Sequence, residues 1–550
     1  MKMNNIIKLT AALLGSSVIL SGCIKETFPE SGYATSDQTA ESPFAMEGLV
    51  TAMPTVLITS YLDLGDHFDF GYPGIFGATD RLVGEVFPVS GNLPGGNQYY
   101  DRWQPWLYIN GLAANNWPTE FFYTNYYKFI FTANEAIEIA NGAEGYEEML
   151  GVGKTFRALC YLDMARQYDP LPAKAPERPA YETELEAVKG LTVPIVREGM
   201  TLAELENNPR ATREEMFEFI LEDLNAAETL LAHYTPASKN LPSLAVVYGL
   251  KARAYLWLGG FEDSYENVPT GNAAYRLAAE YARKAIDASG CTIMTETQWL
   301  DPATGFNTVN SSWMWGMIQT TDTVLNNLLS WSAHMCPESI WGYGYGAQPG
   351  LSVFSYNRIS SGDFRKKVFV GPDRSYEAIQ PYTSLTEDEF KTIAPYASFK
   401  FHTNGGEKRS YATGNVTSIP MMRVEEMYLI EAEATAHYDA GTGKSLLLSF
   451  MANRDPAYTV PAANDLIDEI IFQKRIEFWG EGIIFYDLKR LNMDMHNGDS
   501  GTNAPPSAQF TTTGRAPWWN CVIPLAAVQQ NTGLTGKNNP NPNLTVKSVK

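Results

Sequence analysis

Arg423-Val424-Glu425-Glu426-Met427-Tyr428-Leu429-Ile430-Glu431-Ala432-Glu433-Ala434 is the most regular stretch of this 550-residue chain. It reads as the centre of a helix over Met422–Tyr438, with Met427, Leu429, Ile430 and Ala434 as its apolar contacts. Acids recur between those contacts. Further on, Asn464–Trp479 gives a second helix through Leu466, Ile470, Ile471 and Phe478, and Arg475, Glu477, Glu481, Asp487 and Arg490 follow at helical spacing. Glu425, Glu431 and Glu433 opposite these residues predict partly buried charge pairs between packed helices. That role is structural, since catalytic carboxylate pairs need a cleft.

The same periodicity recurs upstream. Tyr126, Phe129, Ile130, Ala133 and Ile137 share a face from Asn125 onward, and Gly142 and Gly145 end the run. Lys154–Tyr168 stacks Phe156, Leu159, Leu162 and Ala165, and it stops at Asp169-Pro170. Thr212 and Glu215 form a capping box before Met216, Phe219, Ile220 and Leu224. Ser243–Leu258 and Ala273–Ala288 follow, the latter with Ala274, Ala278, Ala282 and Ala285 for close helix contact. Pairs of this kind predict a mainly α chain with a tetratricopeptide-like helical scaffold over about 119–290 and 420–490. Segments 65–118 and 291–419 show no helical period and read as a large loop-rich part, where function commonly resides.

Ahead of these lies an apolar run from Leu9 to Leu20, preceded by Lys2 and Lys8 and closed by Leu20-Ser21-Gly22-Cys23. It is too short to span a bilayer and has the form of a lipoprotein signal over residues 1–22, with Cys23 as the lipidated first residue of the mature chain. A polar tether to residue 45 would hold the body, residues 46–550, off a membrane. With 62 acidic and 41 basic residues the chain carries a formal charge of -21, and losing Lys2 and Lys8 makes it more negative. Such a surface repels phosphate, so no nucleic-acid partner is expected. Cys160, Cys291, Cys336 and Cys521 lack metal-binding spacing and read as free thiols.

Taken in order, the pieces resemble the SusD/RagB family of outer-membrane nutrient-binding lipoproteins over nearly the full length. Trp117, Tyr127, Ile130 and Asn134 resemble that family's first helix, and Arg157-Ala158 through Tyr168-Asp169-Pro170-Leu171-Pro172 its next segment. Arg423–Ala434 is similar to its acidic helix, and Arg475, Glu477-Phe478, Glu481-Gly482 and Phe485–Arg490 to the block that follows. Ile523-Pro524 and Asn539-Pro540-Asn541 match its ending, while Ile484 departs where an Arg is common. The resemblance implies a surface-exposed, lipid-anchored binding protein and no enzyme, which captures an oligosaccharide and delivers it to a SusC-like TonB-dependent transporter. A peptide ligand within the same family, or a helical scaffold that binds only protein, are the alternatives.

Other chemistry has no visible machinery. Gly151–Thr155 and Gly441–Ser445 imitate phosphate loops, but Glu148 and Tyr438 stand where the motif needs Gly, so both read as helix-to-helix turns capped by Thr or Ser. The six histidines form no ligand set, and no GxSxG elbow occurs. No cofactor is expected. Asp63, Asp66 and Asp69 could gather calcium but read as a solvated face. Aromatic rings stack on sugar C–H faces while polar neighbours bond hydroxyls. Trp103 and Trp106 with Asp80, Arg81 and Asp101, and Trp331, Trp341, Tyr343 and Tyr345 with Gln348, are therefore the candidate ligand-binding residues. Trp117, Trp257 and Trp479 read as core, and at most one of Trp313 and Trp315 should face solvent.

Overall fold

Helices account for about half of the residues described in the computed structural model, namely 43–59, 67–90, 103, 112–175, 178–321, 323, 328–462 and 464–542. The chain falls into two units, residues 1–48 and 49–550. Residues 43–48 open helix α1 (Pro43–Leu57). The signal, Cys23 and the tether before Pro43 lie outside the described residues.

Within the second unit come α2 (Tyr72–Leu82), β1 (Phe87–Pro88), α3 (Trp117–Ala140), α4 (Glu147–Tyr168), α5 (Ala180–Glu186), α6 (Leu202–Leu205), α7 (Arg213–Leu230), α8 (Leu244–Gly259) and α9 (Gly271–Ser289). They are followed by β2 (Trp313–Met317), α10 (Trp331–Met335), α11 (Tyr343–Ala347), β3 (Pro349–Gly350) and β4 (Ile419–Arg423). Last come α12 (Val424–Ala436), α13 (Ala440–Met451), α14 (Leu466–Glu477), α15 (Ile484–Arg490) and α16 (Leu525–Gln530), with shorter helical turns between.

Each long helix packs on the next: α3 on α4, α4 on α7, α7 on α8, α8 on α9, α9 on α12 and α12 on α13. That neighbour-to-neighbour order is how a tetratricopeptide-like scaffold buries faces no single pair could cover. Small residues set the approach. Ala274, Ala278, Ala282 and Ala285 of α9 are fully buried, and a Cβ on Gly259 of α8 would collide with the Tyr275 ring of α9. The Thr212–Glu215 capping box starts α7 as its sequence predicts.

Several boundaries differ from the sequence reading, for physical reasons. Helix α3 begins at Trp117 rather than Asn125, with Pro118 in a first turn that needs no backbone donor there. Helix α4 runs unbroken through Gly151–Thr155, so this stretch is not a turn. A Cβ on Gly153 would lie 3.0 Å from Ile137 Cγ1, and the glycine is there for α3–α4 packing. Gly441–Ser445 does begin a helix, but Asp439 caps it by accepting from the Thr442 N–H. Met422 and Arg423 lie in β4, which pairs antiparallel with β2 in the register Trp313↔Arg423 and Met317↔Ile419. Segment 65–118 contains α2, every residue of which is buried, so no polar face revealed its period.

β4 delivers Arg423 into the core. Its guanidinium binds Glu481 through Nε and Nη2, both at 2.9 Å, and meets Glu425 at 3.0 Å and Glu477 at 3.2 Å. Arg454 forks onto Glu477 with two 2.9 Å bonds, Arg365 reaches it at 3.1 Å, and Lys400 donates to Glu481 at 2.6 Å. A second cluster joins Glu433 and Asp487 to Lys474 and Arg490. Of the remaining predicted charges, Glu431 pairs with Arg283 and Arg475 with Glu85. Burial would raise Glu477, yet Arg454, Arg423 and Arg365 hold its carboxyl well below the usual range. These groups lock the late helices to the loop-rich part, which supplies Arg365 and Lys400.

Candidate functional site

Asp80, Arg81, Trp103, Trp331 and Tyr343, all candidate ligand-binding residues, lie beneath the surface of the loop-rich part, three of them around His334 of α10. Trp103 is 2% exposed, and its Nε1–H donates to His334 Nδ1 at 3.2 Å. That bond fixes the tautomer: Nε2 carries the proton and donates to the His67 carbonyl at 2.8 Å. Phe70 stacks on the imidazole with centroids 5.0 Å apart, and Tyr343 of α11 bonds to His67 Nδ1 and packs against His334. Phe68 and the Arg81 guanidinium, 5.1 Å from the ring, enclose Trp103. Burial, reinforced by the Arg81 charge, lowers His334 to about 3, so the imidazole is neutral at any physiological pH. Trp331 stands edge-on to Phe401 at 5.2 Å and is equally buried.

Asp80 neighbours Arg81 in sequence and serves a different contact. Its Oδ2 accepts from the Gly482 N–H at 2.9 Å, which pins α2 to the turn before α15. Burial pushes this carboxyl up to about 8 against the opposing pull of that N–H, so it is mainly protonated at neutral pH. Asp101 and Trp106 lie outside the described residues.

Trp341 and Tyr345 differ in being half-buried. Trp341 packs against Gly414, where a Cβ would enter the indole ring. Tyr345 Oη donates to the Glu389 carbonyl at 3.3 Å and accepts from Thr392 Oγ1 at 3.0 Å. Glu389 in turn takes Lys408 Nζ and Arg409 Nη2, each at 2.5 Å, and the Ile340 N–H donates to the Lys408 carbonyl. Burial alone would raise Glu389, but the Lys408 bond and the Thr386 cap bring it down to about 2. Three segments, 340–345, 389–392 and 407–414, thus converge on one patch. Tyr411, 43% exposed, belongs to it through the turn that carries Gly414.

The sequence pattern does not single out Tyr411, Glu389 or Arg409, although an aromatic residue between Gly405-Gly406 and Gly414 is an available signal. Gln348 is saturated: it donates to the Tyr345 and Thr392 carbonyls and accepts from the Ala394 N–H. Two expectations fail elsewhere. Trp117 is 39% exposed rather than core, and Asp69 is buried rather than on a solvated face, while Asp63 and Asp66 lie outside the described residues. Trp257 and Trp479 are core, and Trp313 and Trp315 are both fully buried because β2 is covered on both faces. The four cysteines are free thiols, with Cys291 alone half-buried. Among the described residues no three His, Cys, Asp or Glu side chains gather as a metal ion requires, and no helix is long and apolar enough to cross a membrane.

Comparison with known proteins places this geometry. A family model described as "Starch-binding associating with outer membrane" matches residues 96–256, and one described as "SusD family" matches residues 372–541. No curated protein sequence matches the chain. Among solved structures, a SusD-like carbohydrate binding protein from Bacteroides vulgatus is similar at a TM-score of 0.65 and 20% identity, over 92% of this chain and 99% of that one. A SusD superfamily protein from Bacteroides thetaiotaomicron gives 0.64 and 15%, over 92% and 100%. A structure solved with a xylogluco-oligosaccharide gives 0.59 and 15%, over 89% and 98%. Two family models that together span more than half of the sequence, and a shared helical scaffold, lead to one conclusion: the chain belongs to the SusD/RagB family.

Proposed function

We propose that this protein is a surface lipoprotein, anchored in the outer membrane through Cys23, that binds an oligosaccharide on its loop-rich face and passes it to a SusC-like TonB-dependent transporter without breaking a bond. The observation that carries the reading is the convergence of segments 340–345, 389–392 and 407–414, which bear Trp341, Tyr345 and the exposed Tyr411, on one polar-edged patch of a SusD/RagB chain. Family membership supports it, as does the xylogluco-oligosaccharide held by a structural neighbour. Rings at the surface stack on sugar C–H faces, and the Arg409 guanidinium and Glu389 carboxylate beside them address hydroxyls. Buried Tyr343, between Trp341 and Tyr345 and packed against His334, braces that face, which keeps the ordering cost of binding low.

Isothermal titration against a glycan panel and a peptide pool tests this. Trp341→Ala and Tyr345→Ala should each weaken glycan binding about 2- to 12-fold, at ~0.5–1.5 kcal/mol per stacked ring. Heat from the peptide pool alone, or glycan affinity unchanged in the double variant, refutes the proposed ligand face. Cys23→Ala should release the protein from membranes.

A further inference from the structure

Outside the loop-rich face the helical scaffold holds a cavity of about 600 Å³ between α3, α6 and α16. Tyr123 and Tyr127 of α3 form its floor, with ring centroids 4.6 Å apart and planes tilted by 49°. Leu202 of α6, 70% exposed, stands at the rim, and the exposed carboxamides of Gln529 and Gln530 on α16 face it with Glu206 beside them. The walls are tied together. The Asn208 N–H donates to Asn531 Oδ1 at 2.9 Å, Asn531 Nδ2 returns a bond to the Asn208 carbonyl at 2.6 Å, and the Thr532 N–H donates to the Glu206 carbonyl at 2.7 Å. Tyr127 Oη donates to the Pro194 carbonyl at 2.6 Å, which fixes the floor.

We infer that this cavity is a second oligosaccharide site, on the helical scaffold and separate from the Trp341–Tyr345 patch. Its lining decides the ligand class. Two phenol rings offer faces for C–H stacking, and two primary amides offer a donor and an acceptor each, the pairing a hydroxyl requires. The lining holds no Lys or Arg and one acid, so phosphate, sulfate and uronate ligands are disfavoured and a neutral sugar fits. The volume lies within the ~300–1,000 Å³ of small-ligand sites, and walls already tied by hydrogen bonds need little reordering on binding. A glycan chain held at both places would gain affinity by effective concentration without any new contact.

The test uses the full chain carrying Trp341→Ala and Tyr345→Ala, so that the loop-rich patch is silent, with cello-, malto-, xylo- and mannotetraose at millimolar concentration as probes. Saturation-transfer NMR and titration calorimetry should detect at least one of them. Adding Gln529→Ala and Gln530→Ala, both surface changes that leave the fold intact, should weaken that binding tenfold or more, and Tyr123→Ala should abolish it. No binding by any of the four, an affinity indifferent to the Gln529 and Gln530 changes, or competition by a peptide pool in place of the sugars would overturn the inference. Failure of the loop-rich patch alone leaves these readouts unaffected, because the background variant lacks it.

Discussion

Glu477→Gln probes the network that joins the two halves of the fold. Glu477 accepts two bonds from Arg454, one from Arg365 and one from Arg423, and all four side chains are fully buried. The amide keeps the shape and removes the charge, which leaves three guanidinium groups to share Asp363, Glu425 and Glu481. Breaking a buried pair from one side costs about 3–5 kcal/mol, since the surviving charge stays desolvated. A chain of this length has an unfolding entropy of about 1 kcal/mol per kelvin, so calorimetry at pH 7 should show Tm lowered by about 3–5 °C. The pH profile adds a second check. A carboxyl depressed in the folded state contributes stability above its unfolded pKa of about 4.3 and loses it as pH falls toward the folded value. The gap between parent and variant should therefore be widest at neutral pH and narrow below pH 4. A shift under 1 °C, or a gap of constant size from pH 7 to pH 3, refutes the account of Glu477 as the shared anion of this network.

Asp80→Asn should be stabilising in a pH-dependent way. A carboxyl raised to about 8 makes the folded state the tighter proton binder, so the parent loses stability as pH climbs from about 4 to about 8, whereas the amide does not titrate and can still accept from the Gly482 N–H. Melts at pH 5, 7 and 9 should show a growing advantage for the variant, and parallel curves would count against it. Gly259→Ala should destabilise despite the better helix propensity of Ala, because the new methyl group meets the Tyr275 ring; overpacking of about 1–3 kcal/mol against a propensity gain of about 1 predicts a lower Tm, and a raised one would show that α8 and α9 can part.

Amphipathic helices were legible because one face of each meets solvent, as with Thr212–Leu224, whose cap and period both survive in α7. Helix α2 was not legible: Tyr72–Leu82 is buried on every side, so polar and apolar positions do not alternate with its turns. Arg423–Ala434 announced buried charge through its acids, but their partners, Arg253 for Glu426, Arg283 for Glu431 and Arg454 for Glu425, come from other segments, and pairing across such separations leaves no local mark.

The candidate site shows the same limit in sharper form. Trp103 and Trp341 sit in similar company, among Gly, Pro, Tyr and Asp or Ser, and local composition assigns both to a ring platform. Their positions diverge through contacts far along the chain. His334 offers Trp103 a buried acceptor, so its indole N–H is satisfied inside and the ring can be enclosed. Trp341 instead lies on the Cβ-free surface of Gly414, which accommodates one face of the ring and leaves the side chain half-exposed beside Tyr345. A partner for the indole nitrogen accompanies the enclosure of Trp103 and a flat backbone accompanies the half-buried ring of Trp341, whereas Trp331 is enclosed without a hydrogen-bond partner for its nitrogen among the described residues. Neither condition is written near the tryptophan itself. For a chain of this family the residues that aim the rings, here His334 and Gly414, are as informative about the binding face as the rings they aim.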